Sequence, residues 1–489
     1  MARTSLTCGI AALSALATAA HYHVDPDVAS KTAKVTLTLD QGQTSTAFHM
    51  PAWLPGDYEL FHYGKKISEV SFLRDGQPVP SQHTDTDPDL WTVPSGADSV
   101  SYRVVESRGN FSPNLRIRSD EVFINGGGVF GWFDGHQRES QKLTVTNVYG
   151  PGARAATPLP MVAGKWVAKD YDHLLDSPFV FGMTVKTAQV KLGSRTVIAV
   201  GYGLATRIPA DMSAFAKTGA MAAEQTLKLV GDLPWQEYRF YFDFGGGGGG
   251  LEHLEATRIG TGTSDPRQMA GIIFHEFFHC VNVKTVRAQP LGPFDYTKAA
   301  KTSTLWWLEG VTDYYADVLA MRAGLSTPEQ TLQGLFNSCD SLNRSTGAQK
   351  VTASEASLKV WDVRGSFGYG GLSYYSKGAV VGHALDWAIR AESQGKHSLD
   401  DVVRQLYKEC HGGPGYKDTR IRELVVQYGG PKLGPLYDSW VDGLAMVDCR
   451  LEAGAFGVEL DGTIGRGQTP SEAAMLRSWS QGVAYSGSR

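Results

Sequence analysis

The chain has 489 residues, 42% of them hydrophobic, 20% charged and 10% aromatic, too long for a single hydrophobic core and too apolar to be disordered. Lys and Arg number 46 against 50 Asp and Glu, a net charge of -4, so the basic field that binds phosphate backbones is missing and no nucleic-acid partner is expected. Five cysteines without a C-x-x-C spacing exclude a zinc ribbon, leaving His and carboxylates as the ligands for any metal.

In chain order, Arg3, the small apolar stretch from Leu6 to Ala17 and the A-x-A site Ala17-Thr18-Ala19 read as an export leader over residues 1–20, cut near Ala19 or Ala20. It is shorter than the ~20 residues a bilayer span needs. No later stretch reaches that length, so the mature protein is expected to be periplasmic or secreted with no integral membrane segment. From about Val24 to Met183, short alternating runs such as Val35-Thr36-Leu37-Thr38-Leu39, Ser101-Tyr102-Arg103-Val104-Val105 and Lys142-Leu143-Thr144-Val145 predict a β-sandwich-like domain over residues 21–184. Strands continue to about Asp243 around one helix, Ala214 to Val230, stopped by Gly231. The alternating run Tyr238 to Phe244 then meets six glycines, Gly245 to Gly250, expected as a flexible or tightly turned loop. Beyond it, helical patterns cover Gln268 to Val283, Thr304 to Ala323, Ser376 to Ala391 and Leu399 to Cys410. The fold class is thus α+β, with a mostly helical second domain over 185–450. Residues 451–489, rich in Gly, Ser and Ala, read as a tail. Cys280, Cys339, Cys410 and Cys449 remain after leader removal, and Cys410 with Cys449 is one pairing open in an oxidising compartment.

His275-Glu276-Phe277-Phe278-His279 matches H-E-x-x-H on a stretch patterned as a helix. Two histidines four apart share a helix face and can reach one Zn²⁺, while the intervening Glu276 stands beside the open coordination position as a general base. A catalytic zinc needs a third protein ligand, and Glu309 in Trp306-Trp307-Leu308-Glu309-Gly310 supplies a His₂Glu set. Asp313, one turn on, can accept the spare N–H of a ligating histidine. The bland alternative, a solvated acidic helix face, is opposed by the flanking Trp306, Trp307, Tyr314 and Tyr315.

The strings HEFFHCVNVK, LGPFDY at Leu291 to Tyr296 and WWLEGVTDYYADVL resemble the glycyl aminopeptidase family of gluzincin metallopeptidases. MPAWLPGDYEL at Met50 to Leu60, FING at Phe123 to Gly126 and DYDHLLDSP at Asp170 to Pro178 resemble its N-terminal domain. The resemblance runs from about residue 24 to 450. It implies a thermolysin-like catalytic domain holding one Zn²⁺ per chain with His275, His279 and Glu309, and Glu276 as base. It further implies that Glu252 in Gly250-Leu251-Glu252-His253 binds the free amine of a peptide, with Gly250 letting the substrate backbone approach. In Tyr374-Tyr375-Ser376-Lys377-Gly378, Tyr375 is the implied donor to the oxyanion, and register alone leaves Tyr374 open. The residue after the second histidine is Cys280, expected to pack rather than ligate. Many members end in a PDZ-like module; too few residues follow Arg450 for one, and it is expected to be absent.

The implied activity is removal of small N-terminal residues, Gly or Ala, from peptides with a free N-terminus. A zinc endopeptidase or oligopeptidase on the same site, with Glu252 structural, is the runner-up. A peptide- or glycan-binding protein with a vestigial catalytic fold is the third reading. N-acylated substrates separate the first two, and metal content tests the third. Oligomeric state is not encoded in any feature of the sequence.

Overall fold

The computed structural model describes residues 18–81, 83, 86–107, 114–363 and 367–482. The expected leader lies outside them up to residue 17. Backbone pairing between the first two strands begins at Ala20↔Leu39.

The first strands fold as their alternation demands. Thr32–Leu39 turns Ala33, Val35, Leu37 and Leu39 into the interior. It pairs antiparallel with Thr18–Asp27 on one side and Ser99–Val105 on the other, at the middle of an eight-stranded sheet. A three-stranded and a four-stranded sheet complete this β-rich domain. They enclose a core in which Phe48 meets the rings of Phe72, Trp91, Tyr102 and Phe133.

The second domain starts with a five-stranded sheet in the order Lys186–Leu192, Arg195–Gly203, Glu237–Phe244, Ala256–Thr261, Gly250–Glu252. The three middle strands are parallel, and their apolar runs are buried on both faces, as parallel strands require. One face is covered by helices. The other meets the β-rich domain through Val200, Tyr202, Tyr241 and Ala256, which share a cluster with Phe123 and Val180. The last strand runs antiparallel to Ala256–Thr261, Leu251 facing Arg258, and forms the edge of the sheet.

The glycine run before that edge strand is tightly turned. Gly245 N–H donates to Thr261 O at 3.0 Å and Gly246 N–H to Asp243 O at 3.1 Å, and Gly260 N–H reaches Gly249 O at 2.9 Å. A Cβ at Gly246 would collide with the Asp243 carboxylate, and one at Gly260 with the Gly247 carbonyl. Backbone packs on backbone here, which only glycine permits.

Three helices frame the site: Ala270–Phe278, the widened turn Trp306–Gly310 leading into Val311–Arg322, and Tyr374–Glu392. The first is shorter than the Gln268 to Val283 pattern predicts, because past His279 the chain curls so that Asn282 O lies 2.9 Å from His279 Nδ1. The pairing left open between Cys410 and Cys449 is corrected. Cys449 is bonded to Cys339, while Cys410 is a free, buried thiol. The tail contains the helix Pro470–Gln481, capped by Thr469 and Glu472, with Trp479 fully buried. Its Trp479 ring N–H donates to the Tyr314 hydroxyl oxygen at 2.9 Å, so burial and this bond tie a Gly- and Ser-rich segment to the second domain. Among the described residues no helix is long and apolar enough to cross a membrane.

Candidate active site

His275 and His279 are one helical turn apart, so their rings project from the same face. Their Nε2 atoms are 2.9 Å apart, and Glu309 Oε2 is 3.2 Å from His279 Nε2 and 3.8 Å from His275 Nε2. All three are buried. The opposite ring nitrogens face acceptors: His275 Nδ1 lies 2.7 Å from Asp313 Oδ1, and His279 Nδ1 faces Asn282 O. A proton on Nδ1 leaves Nε2 free to ligate a metal beside Glu309, whereas a proton on Nε2 donates to the Glu309 carboxylate. Two imidazoles and a carboxylate converging on one point, each oriented from behind, suit a four-coordinate zinc with one open position. Burial alone would raise the Glu309 pKa, but the two imidazoles hold its carboxylate well below the usual range.

Asn282 was not singled out in the sequence. Its amide lies 2.9 Å from Trp307 O and 3.0 Å from the Thr312 hydroxyl oxygen, tying the turn that orients His279 to the helix that carries Glu309. Glu309 itself sits in the widened turn, which places one extra residue between successive turns, a common device at functional sites.

Glu276 points from the same helix toward the edge strand. Burial pushes its carboxyl up to about 7 against the pull of His275 and His279. A Cβ on Gly250 would overlap this carboxylate, so the glycine at the start of the edge strand lets backbone lie directly against Glu276. Two residues on, Glu252 is only 4% exposed, and its Oε1 has no hydrogen-bond partner among the described residues. An unpaired buried carboxylate oxygen is costly, which marks it as awaiting a donor.

The two tyrosines face different surroundings. Tyr375 stacks on the His275 ring with centroids 6.0 Å apart and lines a groove of about 1000 Å³ together with His275, Glu276, Gly249 and Gly250. Tyr374 is fully buried behind it. The groove continues along Asn337, Ser338 and Ser341 of the helix Pro328–Arg344 and Ser345 at its C-terminal cap. Cys280 is buried against Trp235, and burial raises its thiol to about 12; it takes no place in the ligand cluster.

Three side chains from the β-rich domain also reach this region, none of them signalled by local sequence. Tyr58 O–H donates to Glu309 Oε1 at 3.1 Å. Asp176 holds Lys284 Nζ at 2.9 Å, His253 Nδ1 at 3.2 Å and Leu254 N–H at 2.8 Å, directly after Glu252. Arg116 pairs with Asp243, which also takes Arg258 at 2.6 Å beneath the glycine run.

The M61 glycyl aminopeptidase model matches residues 268–381, and the peptidase M61 N-terminal domain model matches residues 21–183. No curated protein matches the chain. Among solved structures, an aminopeptidase N family protein from Idiomarina loihiensis superposes with a TM-score of 0.82 at 23% identity, covering 90% of this chain and 78% of that one. An M1 zinc metallopeptidase from Deinococcus radiodurans gives 0.51 at 14% identity, covering 88% and 96%. These two share the fold: a β-rich domain followed by a helical catalytic one. With both family segments matched in order over more than half of its length and the His₂Glu cluster assembled within the second of them, the chain belongs to the M61 glycyl aminopeptidase family of zinc metallopeptidases.

Proposed function

We propose that the protein binds one zinc ion per chain with His275, His279 and Glu309 and removes small N-terminal residues, Gly or Ala, from peptides with a free amine. The observation that supports it most is the pairing of a three-ligand cluster with two buried carboxylates, Glu276 and Glu252, beside one edge strand. A zinc held there supplies Lewis acidity and acidifies a water molecule toward a pKa of ~7. Glu276, held near neutrality by burial, accepts the proton of the attacking water and passes it to the leaving amine. Substrate backbone pairs with the open side of Gly250–Glu252 as an added strand. Glu252 receives the terminal ammonium, which satisfies its unpaired oxygen, and Tyr375 donates its O–H to the carbonyl oxygen as charge develops there. Asp313 keeps His275 in the tautomer that leaves Nε2 free.

The cystine Cys339–Cys449 supports export to an oxidising compartment; N-terminal sequencing of the mature protein is expected to begin near residue 20. The test of the activity compares glycyl and alanyl amides with their N-acetylated forms, with and without chelator. Hydrolysis of the free-amine forms alone, abolished by chelator, is expected. Glu276→Gln is expected to keep stoichiometric zinc and lose about 10³-fold in kcat. Equal rates on free and acetylated substrates overturn the aminopeptidase reading in favour of an endopeptidase, and near wild-type turnover of Glu276→Gln overturns the base.

A further inference from the structure

An enzyme that removes one residue at a time must close the space beyond that residue. The element in position to do so belongs to the β-rich domain. The loop from Leu54 to Tyr58 crosses from the edge strand to the metal cluster. At Gly56, where φ is 90°, the backbone presses on the edge strand: a Cβ there would lie 2.6 Å from Leu251 Cδ1 and 2.8 and 2.9 Å from the two carboxylate oxygens of Glu252. Two residues further, Tyr58 O–H donates to Glu309 Oε1 at 3.1 Å. One short loop therefore touches both the amine anchor and a metal ligand, and the first substrate residue has to lie in the interval it spans.

The face of the loop is packed against a cluster of aromatic rings. The Tyr58 ring packs edge-on against Trp361 at 5.9 Å and Tyr374 at 6.4 Å, and Trp361 in turn meets Trp53 edge-on at 5.3 Å. Trp53 is pinned through its ring N–H to Asp295 O at 2.8 Å. Room for substrate is distributed unequally about this wall. The groove of about 1000 Å³ begins at Gly249, Gly250 and Glu276 and runs toward Pro328–Arg344; neither Glu252 nor Tyr58 lines it. The leaving side of the scissile bond is thus open to several residues, while the amine side ends against packed aromatic rings and a backbone too close to Glu252 to carry a Cβ.

We propose that the Leu54–Tyr58 loop, with Tyr58 as its packed face, is the stop that confines cleavage to the first residue and restricts that residue to a small side chain. Tyr58 is a specificity-determining residue contributed by the domain that holds no metal ligand. The inference rests on the aminopeptidase reading above, since it needs Glu252 to mark where the substrate begins.

The test uses the full zinc-loaded chain and measures kcat/KM on glycyl, alanyl, leucyl and phenylalanyl amides for wild type, Tyr58→Phe and Tyr58→Ala. Tyr58→Phe keeps the ring and is expected to retain the wild-type ranking of substrates. Tyr58→Ala opens the wall and is expected to raise the leucyl-to-glycyl ratio of kcat/KM at least ~10-fold, the scale on which apolar pockets discriminate by size. Tyr58→Val gives the same readout with part of the cage packing kept, should the alanine variant not fold. An unchanged ratio in a folded variant with stoichiometric zinc overturns the inference. Wild-type cleavage of acetylated substrates would instead overturn the aminopeptidase reading, so the two failures are told apart by different samples.

Discussion

Tyr374 and Tyr375 stack on each other with centroids 5.0 Å apart, yet only Tyr375 lines the groove and covers the His275 ring. Sequence register left the two interchangeable, and helix rotation separates them. Tyr375→Phe is expected to lower kcat by about 10²-fold with zinc retained, the scale of losing one oxyanion donor. Tyr374→Phe, which changes a buried hydroxyl that does not line the groove, is expected to stay within a few-fold of wild type; steady-state kinetics on one glycyl amide checks both. A second residue-scale consequence concerns acid stability. His383 is fully buried among the rings of Tyr314, Phe336 and Trp387, and burial, aided by the nearby Arg450, lowers its pKa from 6.5 to about 3. Above pH 6.5 folded and unfolded chains both carry it neutral. As pH falls from 6.5 toward 3 the unfolded chain takes up a proton the folded one refuses, so stability drops by up to about 1.4 kcal/mol per pH unit. His383→Phe is expected to flatten the fall of Tm across that window, read by thermal melts between pH 7 and 4.

At the scale of elements, the ligand-bearing turn and the tyrosine helix approach through two glycines. A Cβ on Gly378 would collide with the Trp306 carbonyl, and one on Gly310 would lie 2.6 Å from the Tyr375 carbonyl. Small residues at a crossing let backbones come close, and here the crossing fixes Glu309 against Tyr375. Gly378→Ala is expected to wedge the helices apart at a cost of about 1–3 kcal/mol and to weaken zinc affinity, measured by chelator competition, although no atom of residue 378 touches the site. The helices bearing the site follow their apolar periodicity, whereas two others are marked chiefly by their caps. Thr327 and Gln330 form a capping box ahead of Leu332, Leu335, Phe336, Cys339 and Leu342, a start signal followed by 3- and 4-residue apolar spacing. Thr469-Pro470-Ser471-Glu472 offers the same signal before Pro470–Gln481, where small residues surround the three buried anchors Met475, Leu476 and Trp479.

For the whole molecule, what could not be read locally is what the two domains do to one another. The metal cluster depends on a four-residue spacing and one nearby helix, so it was legible. Tyr58 meets Glu309 across 251 residues, Arg116 meets Asp243 across 127 and Asp176 meets Lys284 across 108. No periodicity or spacing reports on partners that distant; only the family resemblance linked GDYEL and DYDHLLDSP to the metal motif. These contacts make the β-rich domain a structural part of the site. Asp176 carries the clearest consequence, because it binds Lys284 Nζ, His253 Nδ1 and Leu254 N–H together immediately after Glu252. Asp176→Leu would strand Lys284, whose side chain is only 7% exposed, and is expected to cost about 3 kcal/mol of stability. Pairing it with Lys284→Met removes both charges and is expected to recover most of the lost Tm, since two apolar side chains can replace a buried ion pair. Activity is expected to behave differently: the double variant still lacks the carboxylate that fixes His253 and the cation facing Glu252, so KM for free-amine substrates stays raised several-fold while kcat and zinc content return toward wild type. A double variant restored in KM as well as in Tm would mean that Asp176 serves stability alone and that the β-rich domain does not set the geometry of the amine anchor.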